Sequence, residues 1–374
     1  MLTNNSYDCA IIGGGLGGLC LAIQLADKNY SVIVFEKNEY PFHKVCGEYI
    51  SMESHDFLAS LGLPLNDMGL PRINSLGVSS QQGFLLNSPL KMGGFGISRH
   101  RLDHELFKIA VSKNVRVVQN CRVSAVHQGL VTTNSGAYSA AVVCGAYGKY
   151  TPVFIQQSGD HSVAKNKAAN YIGVKYHIKA DLPPDRIELH NFADGYCGIS
   201  QVEDDWHCLC YLSHAGNLLK HKGNIKSMEE QVLYKNPFLK AYFTRSQFRT
   251  RGPLVISNVS FSKKQTSSGG VFLLGDAAGT ITPLCGNGMS MAMRASQLLA
   301  AQLHDHFSGH KDLAELKRDY EAAWNKIFAR RIKTGYYLQH LFGRNLATHL
   351  SLKALARFPA LTQKIISLTH GEVF

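Results

Sequence analysis

The sequence predicts an α/β protein in which a doubly wound nucleotide-binding domain carries an inserted antiparallel sheet and a helical C-terminal part. Three observations predict this fold. A glycine-rich turn joins an apolar strand to an apolar helix near the start of the chain. Runs with a period of two residues follow between about 167 and 265, and helical periodicity continues from Lys311 onward. The 374 residues are 45% hydrophobic and 18% charged, a balance that excludes a disordered chain.

The N-terminal motif has the parts that bind a dinucleotide. Residues 8–12 and 31–36 are predicted buried strands, with a helix after the first of them. The turn before that helix matches G-x-G-x-x-G at Gly13, Gly15 and Gly18. Such glycines permit a sharp turn, let backbone N–H groups approach a pyrophosphate, and let helix and strand pack closely. Glu36, at the end of the second strand, is the expected acceptor for the adenosine ribose hydroxyls.

The sequence disfavours a membrane-spanning or disulfide-stabilised protein. Residues 9–26 carry no charge, but five glycines stand among them, so a strand, turn and helix are predicted rather than a membrane span. The polar first residues predict no signal peptide. The nine cysteines include no C-x-x-C pair, which predicts reduced thiols and no metal site. The predicted location is the cytoplasm.

A second glycine-rich signature covers residues 269–296, where a predicted strand ends in Asp276 and a helix begins near Gly288. It resembles the G-D motif of flavoproteins related to aromatic hydroxylases and geranylgeranyl reductases. The resemblance implies a Rossmann-like domain of the glutathione reductase type with non-covalent FAD. It also implies that Asp276 holds the ribityl hydroxyls and that the helix N-terminus stabilises negative charge on the flavin pyrimidine edge. The further cofactor contacts implied are Gly286, Asn287, Gly288 and Met289.

Two further segments resemble the same superfamily. Residues 97–110 are similar to its R-x-x-L-D-x-x-L helix start, which implies that Arg99 lies along the FAD; a surface arginine is the alternative. Residues 142–152 resemble its G-A-D-G segment, but Tyr147 replaces the aspartate. That segment helps to bind both FAD and nicotinamide in the hydroxylases, so NAD(P)H is left open as the electron donor.

The segment at residues 44–51 resembles the C-G-E/D segment of the geranylgeranyl reductases, which implies that Cys46 lies near the isoalloxazine as a candidate catalytic residue. A buried structural cysteine is the alternative. The resemblance favours hydride transfer through flavin N5 to or from an isoprenoid- or polyketide-like molecule. A monooxygenase acting on an aromatic or polyketide substrate is the second hypothesis, and a FAD-binding sensor without turnover is the third. Halogenation is disfavoured, because the chain lacks the W-x-W motif of the halogenases.

The inserted sheet is expected to cover a substrate cavity. Residues 195–201 occupy the place of the reductases' G-Y-x-W-x-F-P motif but lack its tryptophan and proline. The residues expected to line an apolar pocket are Phe192, Tyr196, Trp206 and Pro283, with aromatic core packing as the alternative.

The predicted domains are discontinuous along the chain. Residues 1–75, 95–165 and 268–310 are assigned to the FAD-binding domain and residues 76–94 and 166–267 to the substrate domain. Residues 311–374 are expected to form a helical cap.

The net charge of +12 favours an anionic partner. Residues 322–374 contain eight Lys or Arg against one acid, interleaved with leucines. Such a tail packs on the domain as a cap or lies on the inner face of an anionic membrane. Nucleic acid is not an expected partner, because no recognised nucleic-acid module is present.

Overall fold

The structure, a computed structural model, describes residues 6–158, 170–259, 264–280 and 287–374. Its strands are β1 (Ser6–Ile12), β2 (Val32–Phe35), β3 (Tyr49–Ser51), β4 (Arg72–Ser79), β5 (Leu85–Gly96), β6 (Arg116–Val118), β7 (Val123–His127), β8 (Leu130–Thr133), β9 (Gly136–Gly145), β10 (Tyr171–Lys179), β11 (Arg186–Phe192), β12 (Gly195–Gln201), β13 (His207–His214), β14 (Gln247–Phe248), β15 (Leu254–Val259), β16 (Ser267–Ser268) and β17 (Val271–Leu273). Its helices are α1 (Leu16–Ala26), α2 (His55–Ser60), α3 (Arg99–Ser112), α4 (Val153–Ser158), α5 (Ala215–Lys220), α6 (Ile225–Val232), α7 (Pro237–Arg245), α8 (Gly288–Phe307), α9 (Leu313–Leu341), α10 (Asn345–Arg357) and α11 (Pro359–Ser367).

The first sheet forms the half of the molecule that the sequence predicts to bind a nucleotide. Its strand order is β16-β17-β9-β1-β2-β6, parallel from β17 to β6, with the β7–β8 hairpin attached to β9. Parallel strands covered on both faces are apolar throughout. β2 and the second half of β1, residues 9–12, are of this kind, and α1 packs against both α3 and α8. The carboxyl ends of β1, β2, β9 and β17 therefore meet at one edge of the sheet, which is where such folds bind ligands.

The second sheet is mostly antiparallel and has the order β14-β10-β13-β12-β11-β4-β5-β3, with β15 also paired to β10. The strands predicted near 171, 186 and 205 are present as β10, β11 and β13. The two-residue alternation between about 167 and 265 predicted strands alone. Three helices, α5 to α7, follow β13 there and cover one face of this sheet. Asn224 and Asn236 cap α6 and α7 with their side-chain oxygens, a local signal for these helices that the sequence does contain.

The C-terminal helices join the two halves. Helix α9 packs on α8 of the first sheet, whereas α10 and α11 lie against β5 of the second. The chain then returns to the first half, where the Phe374 backbone N–H donates to the Glu53 carbonyl oxygen over 3.0 Å. The predicted fold class, an α/β nucleotide domain with an inserted antiparallel sheet and C-terminal helices, is confirmed. The domain bounds stay a prediction; β3 and the start of β4 also belong to the second sheet.

Within the described ranges, no helix combines the length and the hydropathy that a bilayer crossing needs.

Candidate functional site

A single cavity of about 920 Å³ extends from the edge of the first sheet to the underside of the second. The turns after β1 and β17 and the start of α8 line one end. One face of the second sheet, together with α10 and α11, lines the other end. The cavity therefore connects the residues predicted to bind FAD with the sheet predicted to bind substrate.

The glycines of the first turn have different roles. Gly13 has φ +106°, and a Cβ there would lie 2.5 Å from the Ala146 carbonyl oxygen. A Cβ on Gly18 would clash with the Gly13 carbonyl oxygen. These two glycines are therefore required by the turn and by helix packing. A Cβ on Gly15 would instead face two cations, with Lys44 Nζ at 3.2 Å. Gly15 thus keeps the N-terminus of α1 open beside positive charge.

The two cations beside Gly15 are Lys44 and Arg99, and both are held by Asp103. Arg99 Nε and Nη2 donate to the Asp103 carboxylate over 2.8 and 2.7 Å, and Lys44 Nζ donates over 3.1 Å. Burial opposes ionisation of Asp103, but Arg99 and Lys44 outweigh it and hold the pKa of this carboxyl below its usual range. Two cations share one carboxylate at a helix N-terminus, which leaves a net positive site suited to a diphosphate.

Glu36 is buried at the end of β2 and lines the cavity. Its Oε2 accepts from the Gly14 N–H over 3.0 Å, and its Oε1 accepts from the backbone and side chain of Asn38 over 3.0 and 2.8 Å. Three donors fix the carboxylate at the cavity wall, and a carboxylate can accept about one further bond. This geometry fits the predicted ribose contact.

The other end of the cofactor region is built by the turn after β17 and the start of α8. Asp276, Gly288 and Met289 line the cavity there. Asn287, just before α8, is fully buried, and its Oδ1 has no partner among the described residues. A buried carbonyl oxygen without a partner is costly unless a bound group donates to it. A flavin dinucleotide fits this arrangement: the unpaired Asn287 Oδ1, the open space beside Gly15, and the cations Lys44 and Arg99. Gly286 lies outside the described residues.

Cys46 lines the cavity, is partly exposed, and is a free thiol. Its carbonyl oxygen accepts from the Cys208 thiol over 3.2 Å. Arg99 and Lys175 both lie close enough for electrostatic interaction with it. Both cations are distant from Cys46 in sequence. Its catalytic role stays a prediction.

Glu48, two residues after Cys46, is fully buried and has φ +57°, a conformation that non-glycine residues rarely adopt. Lys175 Nζ donates to its Oε1 and, over 3.1 Å, to the Lys44 carbonyl oxygen. His177 Nε2 lies 2.7 Å from Glu48 Oε2. Burial opposes ionisation, but Lys175 and His177 outweigh it and hold the pKa of Glu48 at about 2. This ion-pair network attaches the loop that carries Cys46 to strand β10.

The same network brings three atoms of metal-binding type together. The ligand atoms of Glu48, His177 and Cys208 lie within 4.8 Å of one another. The Lys175 ammonium already neutralises the Glu48 carboxylate, and a metal ion beside it would be repelled. We therefore interpret the group as an ion-pair network. Glu48 and Lys175 were not predicted as site residues from the sequence, because they are 127 positions apart.

One face of the second sheet, here termed the cavity face, lines the apolar end of the cavity. Residues paired across neighbouring strands share a face, and the pairs Val78–Leu189, Leu189–Gly198 and Gly198–Cys210 run across four strands. The cavity-lining residues that matter below are Val78, Leu189, Tyr196, Gly198, Ser200 and Cys210. Burial raises the pKa of Cys210 to about 12, so its thiol is neutral at physiological pH.

The structure corrects two of the four predicted pocket residues. Tyr196 lies on the cavity face, but Phe192 points to the opposite face and packs at 6.1 Å on Tyr211 in the core under α6 and α7. Successive residues of a strand point to opposite faces of the sheet. Asn191 pairs with Tyr196 and therefore shares its face, so Phe192 must point to the other face. Trp206 precedes β13 at the sheet end, with Lys179 and Arg249 each 5.4 Å from its ring. Pro283 lies outside the described residues.

Comparison with known proteins agrees with this geometry. A family model described as an NAD(P)-binding Rossmann-like domain matches residues 11–46, and one described as a FAD binding domain matches residues 253–330. The chain is 25% identical over 405 residues to conditioned medium factor receptor 1 of Dictyostelium discoideum, covering 97% of this chain and 73% of the relative. It is 25% identical over 352 residues to digeranylgeranylglycerophospholipid reductase 2 of Methanothermobacter thermautotrophicus, covering 87% and 85%.

Solved structures show the same fold. A flavin-dependent brominase superposes with a TM-score of 0.78 over 97% of this chain and 93% of its own, at 19% identity. At this identity the likeness establishes the fold. The two family models match the two cofactor-binding segments of the cavity, and they confirm the predictions of FAD as cofactor and of a FAD-dependent oxidoreductase.

We predict that Asp276→Ala weakens FAD binding far more than Asp67→Ala, an exposed control. Loss of a buried hydrogen bond to the ribityl chain costs about 1–3 kcal/mol, roughly a five- to hundredfold loss of affinity. Occupancy is measured as the flavin-to-protein absorbance ratio after desalting, and acid precipitation should release all the flavin. Equal occupancy in the two variants would show that Asp276 does not hold the cofactor. Asp103→Ala is unsuitable as a control, because Asp103 holds Arg99 and Lys44.

We predict that Lys175→Met lowers the free energy of unfolding by about 3–5 kcal/mol at neutral pH, because Glu48 then stays buried without its cation. Glu48→Gln combined with Lys175→Met should recover most of this loss. Lys179→Met, on the exposed end of the same strand, should cost less than about 1 kcal/mol. Since the pKa of Glu48 is lowered from 4.5 to about 2, the ion pair's contribution should decline as the pH falls through that interval. Urea unfolding measures all three variants; a double variant no better than the single one contradicts the ion-pair interpretation.

Proposed function

We propose that this FAD-dependent oxidoreductase transfers hydride between flavin N5 and a lipophilic small molecule bound against the cavity face of the second sheet. The observation that carries the proposal is the continuity of the cavity. The Lys44–Arg99 pair and Asp276 line one end, and apolar side chains of the sheet and of α10 and α11 line the other. A substrate held at the apolar end can reach the cofactor without leaving the cavity.

The chain's own residues have separate tasks in this proposal. Lys44 and Arg99, beside the N-terminus of α1, neutralise the diphosphate. The N-terminus of α8 stabilises negative charge at the other end of the cofactor. The Glu48–Lys175 pair holds the loop that carries Cys46 at the junction of the two ends. The flavin, when bound, supplies the redox chemistry.

The relative from Methanothermobacter supports the reductase form of the proposal, since its name describes a reductase of a lipid. The apolar lining by Leu352 and Leu355 of α10 and Ile366 of α11 agrees with a substrate of low polarity. NAD(P)H is one candidate electron donor. Tyr147, which replaces the aspartate of the hydroxylase segment, lines the cavity.

The chemistry is tested with enzyme reduced by dithionite and mixed, without oxygen, with a lipophilic alkene such as geranylgeraniol or with an unsaturated polyketide. We expect the visible absorbance of oxidised flavin to return with the substrate and not with buffer. Reoxidation that forms a hydroxylated product only when oxygen is admitted would replace the proposal with a monooxygenase. Retention of flavin with no reaction under either condition would indicate a protein without turnover.

We further propose that the outer surface of α10 and α11 contacts an anionic membrane. The inner side of these helices is buried at Leu352 and Thr362, whereas Leu346 and Phe358 are 69% and 60% exposed. The exposed basic residues on the same two helices are Lys353, Arg357 and Lys364. An apolar surface bordered by cations has the chemistry of an interfacial helix, and a membrane there would supply a lipophilic substrate directly.

We predict that the protein sediments with phosphatidylglycerol vesicles more than with phosphatidylcholine vesicles, and that salt weakens the difference. Each Lys or Arg near an anionic surface contributes about 1 kcal/mol, so Lys353→Glu with Arg357→Glu should reduce binding by at least about tenfold. Lys220→Glu with Lys222→Glu is the matched control, because Lys220 is the last residue of α5, Lys222 follows in the next turn, and both are exposed. If both double variants sediment like the wild type, the helices serve only as a cap.

A further inference from the structure

Gly198 lies in the middle of the cavity face, and its backbone does not require glycine. Its φ is not positive, and an added Cβ would make ordinary contacts, 3.5 Å to Leu189 Cδ2 and 3.8 Å to the Cys210 carbonyl oxygen. Other glycines of this sheet differ. A Cβ on Gly173 would lie 2.9 Å from Ile256 Cγ2, so that position has no space for a side chain. Glycine weakens a strand interior, and at 198 its effect is to leave open space in the cavity.

Ser200 is on the same face, two residues along β12. It is 1% exposed and lines the cavity, and its hydroxyl has no hydrogen-bond partner in the part of the chain that the structure describes. Its cross-strand neighbours are Ile187 and Cys208, and the Cys208 thiol donates to the Cys46 carbonyl oxygen. A buried hydroxyl without a partner is unfavourable unless a ligand satisfies it.

These two residues lie where the two ends of the cavity meet. The contact between Cys208 and Cys46 places Ser200 beside the loop that borders the cofactor end. Gly198 is on the side toward Tyr196 and Leu189, in the apolar end. At Gly198, where no side chain projects from β12, the strand presents a flat peptide surface, and the ring of Tyr196 borders this surface. This surface fits a planar group better than a branched chain.

We propose that Gly198 and Ser200 form a subsite for an oxygen-bearing ring of the substrate. The ring lies over Gly198, and Ser200 hydrogen-bonds a hydroxyl or carbonyl oxygen on it. The inference rests on the proposed function and narrows its substrate class. It selects phenolic, quinoid or polyketide-like rings over plain hydrocarbon chains.

The subsite is tested by equilibrium dialysis of the FAD-loaded protein against naphthol and naphthalene, two planar probes that differ by one hydroxyl. We expect wild-type protein to bind naphthol about tenfold more tightly than naphthalene, since a site with an unpaired buried polar group prefers the ligand that pairs with it. Ser200→Ala should remove this preference by weakening naphthol alone. Gly198→Trp should abolish binding of both probes, and Gly198→Ala should retain both.

Ser88→Ala is the matched control, because Ser88 also lines the cavity but already accepts from Gln363 Nε2 over 2.8 Å. It should leave the ratio of the two affinities unchanged. Flavin content and thermal unfolding establish that each variant is folded. A naphthol preference that survives Ser200→Ala, no preference in the wild type, or full binding by folded Gly198→Trp would each overturn the subsite. If the proposed function fails but the subsite exists, the protein still binds the probes, yet its reduced flavin is not reoxidised by substrate.

Discussion

The carboxylate of Glu48 is the point at which the parts surrounding the cavity are joined. Its two oxygens bind Lys175 and His177 of β10, and Oε1 also accepts from the Arg99 N–H over 2.7 Å at the start of α3. Placing a carboxylate in the interior and holding its backbone at positive φ are both unfavourable. The surrounding donors offset these costs only when the loop that carries Cys46, β10 and α3 are all in place. The geometry of the cavity therefore depends on this one interaction.

Local patterns allowed the nucleotide half to be predicted from the sequence. The strand, glycine turn and helix around Gly15 occupy consecutive residues, and each element has its own signal in apolar run, glycine spacing or helical period. The same holds for Asp276 and the start of α8. Arg99 could be placed only by resemblance, because nothing in its neighbours shows that Lys44 binds the same carboxylate, Asp103, across 59 positions of chain. Long-range pairs of this kind leave no local pattern.

The second sheet shows a different limit. Alternation along β11 separates Phe192 from Ile187 and Leu189, but both faces of this sheet are covered, one by α6 and α7 and the other by the cavity and the C-terminal helices. When both faces are apolar, the alternation shows which residues share a face, but it does not show which face points into the cavity. Tyr196 and Phe192 were therefore equally plausible pocket residues. The register of the β11–β12 hairpin places them on opposite faces, and only the packing of α6 and α7 on one of these faces shows which residue lines the cavity.

The C-terminal helices are also joined to the rest of the protein by buried hydrogen bonds and ion pairs, at the apolar end of the cavity. Arg331 of α9 forms a buried ion pair with Glu53, and the Asn287 side chain donates to the Thr369 carbonyl oxygen next to the start of α8. His370, the following residue, lines the cavity. The turn after α11 is thus bonded to Asn287, a residue predicted to contact the FAD. Because a buried network responds as a unit, we expect a displacement of α10 and α11 to be transmitted through Thr369 to Asn287 and the start of α8.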